Sequence, residues 1–145
     1  MRGLLFASAR SILLGWVTLL LSGYVLERPL LWMAKPVAVN WLPTVHLALE
    51  CAVLAATGWV IGRFSRPTPQ FAVLAFAATL TFLHPRQLRD VNVPWLLQLA
   101  GDALHDSRYW PSLANTAMIH VLLFASLFAG ALLSRSHETP LSIRQ

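Results

Sequence analysis

The sequence predicts an all-α, polytopic membrane protein with four transmembrane helices and one short amphipathic helix at the outer membrane interface. Three observations support this class. Of the 145 residues, 57% are hydrophobic and 12% are charged, whereas soluble domains carry about 25% charged residues. Four apolar segments are separated by linkers that contain arginine. Tryptophans lie near the ends of these segments, where their rings favour the membrane–water interface: Trp32, Trp41, Trp59, Trp95 and Trp110. We therefore predict that residues 1–145 form a single integral membrane domain.

The first apolar segment covers about residues 11–26. It follows Arg2 and Arg10 and ends before Glu27. A cleaved signal peptide has the same basic start and apolar run. Here the run is long, and no clear small-residue cleavage site follows it. The pattern therefore favours an uncleaved first span.

The other three segments cover about residues 44–62, 67–83 and 114–133. The third is the shortest, because about 17 residues at 1.5 Å per residue reach only about 25 Å, against a hydrocarbon core of about 30 Å. Local thinning of the bilayer would still allow it to cross. Four crossings place both termini on the same side of the membrane.

The positions of the basic residues predict the orientation. The two termini and the 63–66 turn carry six of the eleven basic residues and a single acid, Glu138. The other side carries four acidic residues among its five basic ones. Since basic residues concentrate in cytoplasmic segments, we predict cytoplasmic termini in a cell inner membrane. The basic residues are dispersed between apolar segments and do not form one face, which argues against nucleic-acid binding.

The pattern of apolar and polar residues over 94–106 predicts the short amphipathic helix. Pro94 suits the first turn of a helix, where its missing N–H is not needed. The apolar and polar residues then occupy opposite faces: Leu96, Leu99, Ala100, Ala103 and Leu104 on one side, and Gln98, Gly101, Asp102, His105 and Asp106 on the other. Such a helix lies flat in the outer interface or packs over the bundle as a lid.

Glu50 is the most informative single residue. It lies about seven residues inside the second span, where a carboxylate is costly and usually faces a bundle interior, a partner or a cavity. His46 lies four residues earlier, on the same helical face, and His120 lies at a similar depth in the fourth span. These residues form a structural polar pair, a proton or ion pathway, or a metal or haem site. We favour the structural interpretation and predict no cofactor; His46 and His120 are only weak metal-ligand candidates.

A second face of the same span carries small residues, namely Ala52, Ala55, Gly58 and Gly62. The GxxxG spacing of the two glycines allows another helix to approach closely. That helix belongs either to this chain or to a neighbouring protein. The single cysteine, Cys51, excludes an intrachain disulfide and reads as a packing residue.

These features favour a non-catalytic function. The leading interpretation is a small accessory or structural subunit that packs against other membrane helices, in a homo-oligomer or a larger membrane complex. The first alternative is a small transporter or proton-conducting component using His46 and Glu50. The second is a haem- or metal-binding redox subunit using His46 and His120. The sequence contains no HExxH, GxSxG or phosphate-binding glycine loop. The expected partners are the lipid bilayer and other membrane helices.

Overall fold

A computed structural model describes residues 2–34, 42–65, 69–83 and 92–136, with the side chains of 9–25, 43–65, 69–81 and 92–134. Over this part of the chain 97% of the residues are helical and none lies in a strand, so the predicted all-α class is confirmed. Five α-helices follow one another: α1 (Arg2–Ala34), α2 (Leu42–Phe64), α3 (Pro69–Leu83), α4 (Val93–His105) and α5 (Trp110–Ser136). A 3-10 turn, Ser107–Tyr109, joins α4 to α5.

The helices follow the predicted apolar segments but differ from them in length. Helix α1 begins at Arg2 and continues to Ala34, well beyond the predicted span of 11–26. Helix α5 begins at Trp110, before the predicted start at 114. Helix α3 covers Pro69–Leu83, and the first two residues of its predicted segment, 67–83, lie outside the described residues. Charged residues end an apolar run without ending the backbone hydrogen-bond ladder, so a helix can continue past the apolar stretch that marks it.

The apolar core lies between α1, α2, α3 and α5, with α2 at the centre. Fully buried side chains come from all four helices: Leu19, Leu54, Ile61, Phe76, Leu80, Leu123 and Leu127. Trp16 of α1 packs on Phe76 of α3 with 5.5 Å between the ring centroids. Its indole Nε1–H also donates to Thr79 Oγ1 at 3.1 Å. These contacts join α1 to α3 through both an aromatic pair and a hydrogen bond.

Helices α1 and α2 are antiparallel. A Cβ on Gly15 would meet the Ile61 side chain at 2.7 Å, so the helices touch at these residues. From this contact Ala34 lies about 28 Å along α1, and Leu42 lies about 28 Å along α2. The linker between them spans at most about 29 Å. In a parallel arrangement, Ala34 and Leu42 would lie about twice that distance apart, which the linker cannot span. The two residues therefore lie on the same side of the contact, and the helices are antiparallel.

Helices α2 and α5 are parallel. A Cβ on Gly58 would fall on the Leu127 carbonyl, and one on Gly62 would fall on the Ser134 hydroxyl. Residue numbers therefore increase together along the two helices. The chain between them must return from the end of α2 to the end where α2 began, and α3 is the described helix in that return.

The described helices expose many large apolar side chains and bury several polar ones. Twenty large apolar or aromatic side chains on the described residues are exposed, and all five helices contribute to them. Among the side chains that the structure describes, six polar or charged ones are buried: Ser11, Glu50, Thr57, Ser65, His120 and Ser134. The bundle therefore carries large apolar side chains on its outside as well as in its core.

In the part of the chain that the structure describes, two helical segments are long and apolar enough to cross a membrane, Pro43–Phe64 and Ser107–Ser134. The apolar parts described for α1 and α3 are shorter, namely Ala9–Val25 and Pro69–Thr81. Only 39% of the most apolar window of the first segment and 28% of that of the second is buried. The core helix of a soluble protein would be mostly buried instead. Of the predicted aromatic belt, Trp59, Trp95 and Trp110 are exposed, whereas the side chains of Trp32 and Trp41 lie outside the described residues.

Candidate functional site

His46 and Glu50 meet on the central helix, α2. Because they are four residues apart, their side chains project from the same face one turn apart. His46 Nδ1 lies 3.4 Å from Glu50 Oε1. The two groups differ in accessibility, since the His46 side chain is 32% exposed and that of Glu50 is 5% exposed. The pair therefore leads from a partly exposed imidazole to a buried carboxyl group.

The position of α2 explains why Glu50 is buried. The same helical face continues to Thr57, which is fully buried and donates its hydroxyl to the Val53 carbonyl at 2.8 Å. This face is directed into the bundle. A carboxyl group held there is removed from bulk solvent, and the nearby imidazole is a proton donor or acceptor of the kind that such a group needs.

His120 is buried in α5 and makes two defined contacts. Its Nδ1 lies 2.8 Å from the Thr116 carbonyl oxygen. Its Nε2 lies 3.1 Å from the backbone nitrogen of Asn92. A carbonyl oxygen can only accept and a backbone N–H can only donate, so Nδ1 carries a proton and Nε2 accepts. Both nitrogens of a neutral imidazole are thereby used.

This geometry links His120 to α4 and not to the His46–Glu50 pair. The parallel register of α2 and α5 puts His120 within about one helical turn of the level of Glu50. Its ring nitrogens nevertheless contact Asn92 and Thr116. A metal ion or haem iron at Nε2 would have to displace the Asn92 amide. Among the described residues, no three His, Cys, Asp or Glu side chains form a group able to hold a metal ion.

Asn92 contributes to the site through its hydrogen bond to His120. It was not predicted from the sequence. It is the N-cap of α4, and its Oδ1 accepts from the Trp95 backbone N–H at 2.9 Å. Asparagine followed closely by a proline, here Pro94, is a recognisable helix start. The local sequence therefore indicates the cap. The hydrogen bond to His120 joins residues 28 positions apart, and no local sequence pattern indicates it.

The glycines of the predicted packing face lie against α5. Gly58 and Gly62 are buried beneath Leu127 and Ala131, and a Cβ on Gly130 would fall on the Ala55 carbonyl. The two backbones therefore touch along what we call the glycine seam, formed by Ala55, Gly58 and Gly62 of α2 with Leu127, Gly130 and Ala131 of α5. Ala52, in the same predicted face, is exposed. The small-residue face thus divides into a part covered by α5 and an exposed part.

Helix α4 lies against the N-terminal half of α5. Leu99 and Ala103 are buried, whereas Leu97 and Leu104 are 67% and 79% exposed. The apolar side of α4 is therefore only partly used by the bundle. Its polar residues, including Gln98, Asp102 and His105, are exposed.

Asp106 and Arg108 form the turn between α4 and α5. Arg108 Nη2 and Nε donate to Asp106 Oδ2 at 2.8 and 3.0 Å. The backbone N–H of Arg108 donates to Asp106 Oδ1 at 3.0 Å. The side-chain hydrogen bond, followed by the backbone one, lowers the pKa of the Asp106 carboxyl group below its usual value. Both side chains are part of a solvated turn.

No protein-family model matches the chain, and no curated protein or solved structure matches it. The fold and the site together define an all-helical bundle with two candidate membrane-spanning helices. On its central helix, α2, lie a pair formed by the partly exposed His46 and the buried Glu50, and a closely packed glycine seam.

Proposed function

We propose that this protein is a small multi-pass membrane protein that acts as an accessory or structural subunit by packing against other membrane helices. The observation that carries the proposal is an exposed row of small residues on α2. The row consists of Thr44, Ala48, Ala52 and Ala56 at intervals of four residues. Such spacing lets helix backbones approach closely in a membrane.

The exposed apolar surface supports insertion into a bilayer. Lipid tails are as apolar as leucine side chains, so residues such as Leu13, Leu21 and Val121 need no protein cover there. The buried polar groups agree with the same environment, because hydrogen-bonding groups in a membrane protein must find partners inside the bundle.

The parallel arrangement of α2 and α5 supports four crossings. If both helices cross, the chain between them must cross in the opposite direction, and α3 is the described helix in that connection. Its 15 residues are short for an average bilayer, which local thinning accommodates. Helix α1 is antiparallel to α2 and completes the four spans. Helix α4 then lies flat at the outer interface, and both termini face the cytoplasm of a cell with an inner membrane.

Cysteine labelling tests this topology. In a Cys51→Ala background, single cysteines replace Gln70 at the start of α3 and Ser107 at the start of the 3-10 turn; both positions are exposed. A membrane-impermeant reagent applied to intact cells should label position 107 and not position 70. Labelling of both positions from the outside would contradict four crossings.

The function as a packing subunit rests on the α2 row. A surface that meets only lipid is served as well by large apolar side chains as by small ones. An exposed row of small residues is instead typical of a helix–helix contact. The glycine seam already shows the equivalent contact inside the chain, where Gly58 and Gly62 admit the backbone of α5. We infer that a helix from another subunit covers the exposed row.

Ala52→Leu tests that contact, with Ala78→Leu as the matched control. Both alanines are exposed on helices, α2 and α3 respectively. Leucine suits lipid at either position but blocks close approach only where a partner helix packs. Purification in native-like nanodiscs followed by mass measurement should give an assembly for the parent and for Ala78→Leu, and a lighter particle for Ala52→Leu. A parent particle containing one copy and nothing else would overturn the proposal.

Proton conduction is the second candidate function, favoured by the accessibility gradient from His46 to Glu50. A partly exposed imidazole beside a buried carboxyl group is the arrangement that the first step of a proton relay needs. In proteoliposomes with an internal pH dye, Glu50→Gln and Glu50→Leu should both abolish proton uptake if the pair conducts. If the pair is structural, Glu50→Gln keeps a hydrogen bond to His46, while Glu50→Leu costs about 1–3 kcal/mol of unfolding free energy. Normal stability and uptake in both variants would remove Glu50 from either role.

An absorption spectrum of the detergent-purified protein tests the haem alternative. A haem band would show that His120 has exchanged the Asn92 amide for iron, or that His46 binds it. Its presence would replace the accessory-subunit proposal with a redox one.

A further inference from the structure

We propose that the hydrogen bond between Asn92 and His120 is a pH-sensitive contact, and that protonation of His120 releases the start of α4 from α5. The inference rests on how the two ring nitrogens of His120 are used. Nδ1–H donates to the Thr116 carbonyl at 2.8 Å, and Nε2 accepts from the Asn92 backbone N–H at 3.1 Å. The second bond joins α5 to the residue that caps α4. The proposal goes beyond the packing function, because it needs no partner subunit.

A proton from solvent would turn the accepting nitrogen of His120 into a donor. In the neutral imidazole, Nε2 carries the lone pair that accepts from Asn92. In the imidazolium ion both nitrogens carry a proton and neither can accept. The Asn92 N–H would then face a second N–H. The Thr116 carbonyl can still accept from Nδ1–H, so protonation removes the contact between the helices and keeps the one inside α5.

The first turn of α4 is otherwise weakly attached to the bundle. Pro94 and Trp95 are exposed, and the other side chains of this turn are only half-buried. The buried side chains of α4, Leu99 and Ala103, belong to later turns. Asn92 Oδ1 accepts from the Trp95 N–H, which is a bond inside α4. In the described part of the chain, the bond to His120 is therefore the polar contact that holds this turn to α5.

The end of α4 is held in a different way. Arg108 Nη2 and Nε donate to the Asp106 carboxylate in the turn that follows the helix. These hydrogen bonds lower the pKa of the Asp106 carboxyl group below its usual value. The pair therefore stays charged at the mildly acidic pH at which an ordinary imidazole gains a proton. We expect the release to be confined to the start of α4.

Other titratable groups lie on the elements that pack against the N-terminal half of α5. They are His46, Glu50 and Cys51 on α2, Asp102 and His105 on α4, and Asp106, Arg108 and Tyr109 in the turn. Helix α3 has none in its described range. Those on α4 lie at least ten residues from Asn92, about 15 Å along the helix. Glu50 lies at about the level of His120. The test must therefore separate His120 from Glu50 and from the two other histidines.

Hydrogen exchange followed by mass spectrometry tests the proposal on the full chain in nanodiscs. Rates are measured from about pH 8 to about pH 5, a range that brackets the titration of an ordinary imidazole. Each rate is divided by that of an unstructured peptide at the same pH, which removes the intrinsic pH dependence of exchange. Protection of peptides covering 93–97 should fall roughly tenfold across the range, whereas peptides covering 53–62 should keep theirs.

Substitutions of His120 separate its protonation from other effects of pH. In His120→Gln the amide oxygen can accept from Asn92 at every pH, so α4 should stay protected throughout. In His120→Leu no acceptor remains, and protection should be low throughout. His46→Gln, His105→Gln and Glu50→Gln should each retain the fall seen in the parent protein. Constant protection in the parent would overturn the proposal, as would a fall that persists in His120→Gln or disappears in one of the three other variants.

Discussion

Helix α5 makes two contacts that are built in different ways, one with α2 and one with α4. Along its C-terminal half, the glycine seam brings two backbones together, and an added Cβ at Gly58 or Gly130 would fall on a backbone carbonyl. Along its N-terminal half, α5 meets α4 through the side chains of Leu99 and Ala103 and through the hydrogen bond from Asn92 to His120.

The difference lies in how far each contact can adjust. Backbone atoms in the seam cannot move aside without shifting a whole helix, because interiors are packed as densely as crystals. Helix α4 is held by a few side chains, and Gly101 on it has nothing within 4 Å of a built Cβ. The seam therefore determines whether the bundle assembles, whereas the α4 contact determines whether a peripheral helix stays attached.

The largest effect is expected from Gly58→Ala. The new methyl group would overlap the Leu127 carbonyl, so α2 and α5 would have to separate and lose their packing. Overpacking of this kind costs about 3 kcal/mol or more of unfolding free energy when backbone is the obstacle. The measurement is unfolding by denaturant in mild detergent, followed by circular dichroism.

Gly101→Ala is the matched control for that change. The substitution is the same, but the site is open, so the expected effect is a gain of roughly 0.5–1 kcal/mol from the higher helix propensity of alanine. If the two variants lost equal stability, the distinction between the rigid seam and the adjustable contact would be wrong.

An intermediate and local effect is expected from His120→Leu. The leucine cannot accept from the Asn92 N–H, and leaving this partly buried donor unsatisfied should cost at most about 1–3 kcal/mol, the range for a fully buried one. Hydrogen exchange followed by mass spectrometry should show faster exchange in α4 peptides and unchanged exchange in α2 peptides. Ser126→Ala on the same helix is the control, because Ser126 bonds only to the Leu122 carbonyl of its own helix. Faster exchange throughout the bundle would show that α4 and the seam form one cooperative unit.

The same contrast explains what could be predicted from the sequence. The all-α class follows from apolar runs of helical length, and the closeness of His46 and Glu50 follows from their four-residue spacing. Both are properties of a single helix. Helices α1 and α5 are longer than predicted. An apolar run marks only the apolar part of a helix, and in both cases the helix extends beyond that part.

Contacts between helices were less accessible to sequence reasoning. The spacing of Gly58 and Gly62 indicates a close approach, but a GxxxG pair does not specify which helix approaches, and the exposed Ala52 carries the same small-residue signal. The partner of His120 is a backbone amide 28 residues away. A backbone amide is present at almost every position, so no residue type marks this one as a partner.

The smallest effect is expected at the turn between α4 and α5, where Arg108 is exposed and Asp106 is partly exposed. Hydrogen bonds from the Arg108 side chain and backbone lower the pKa of Asp106 from its ordinary value of 3.8. A carboxyl group with a lowered folded-state pKa stabilises the folded state above its ordinary pKa, and that contribution disappears as the pH falls through the lower folded-state value. Because the pair lies at the solvated surface, solvent screens it, and its own contribution to the melting temperature should hardly change between pH 7 and pH 4. A carboxyl titration by NMR should give a midpoint below 3.8 for Asp106, and Arg108→Gln should move that midpoint upwards without altering exchange in the glycine seam. A midpoint at or above 3.8 in the parent protein would show that the ion pair does not persist in solution, and the attachment of α4 would then rest on Leu99, Ala103 and the Asn92–His120 bond.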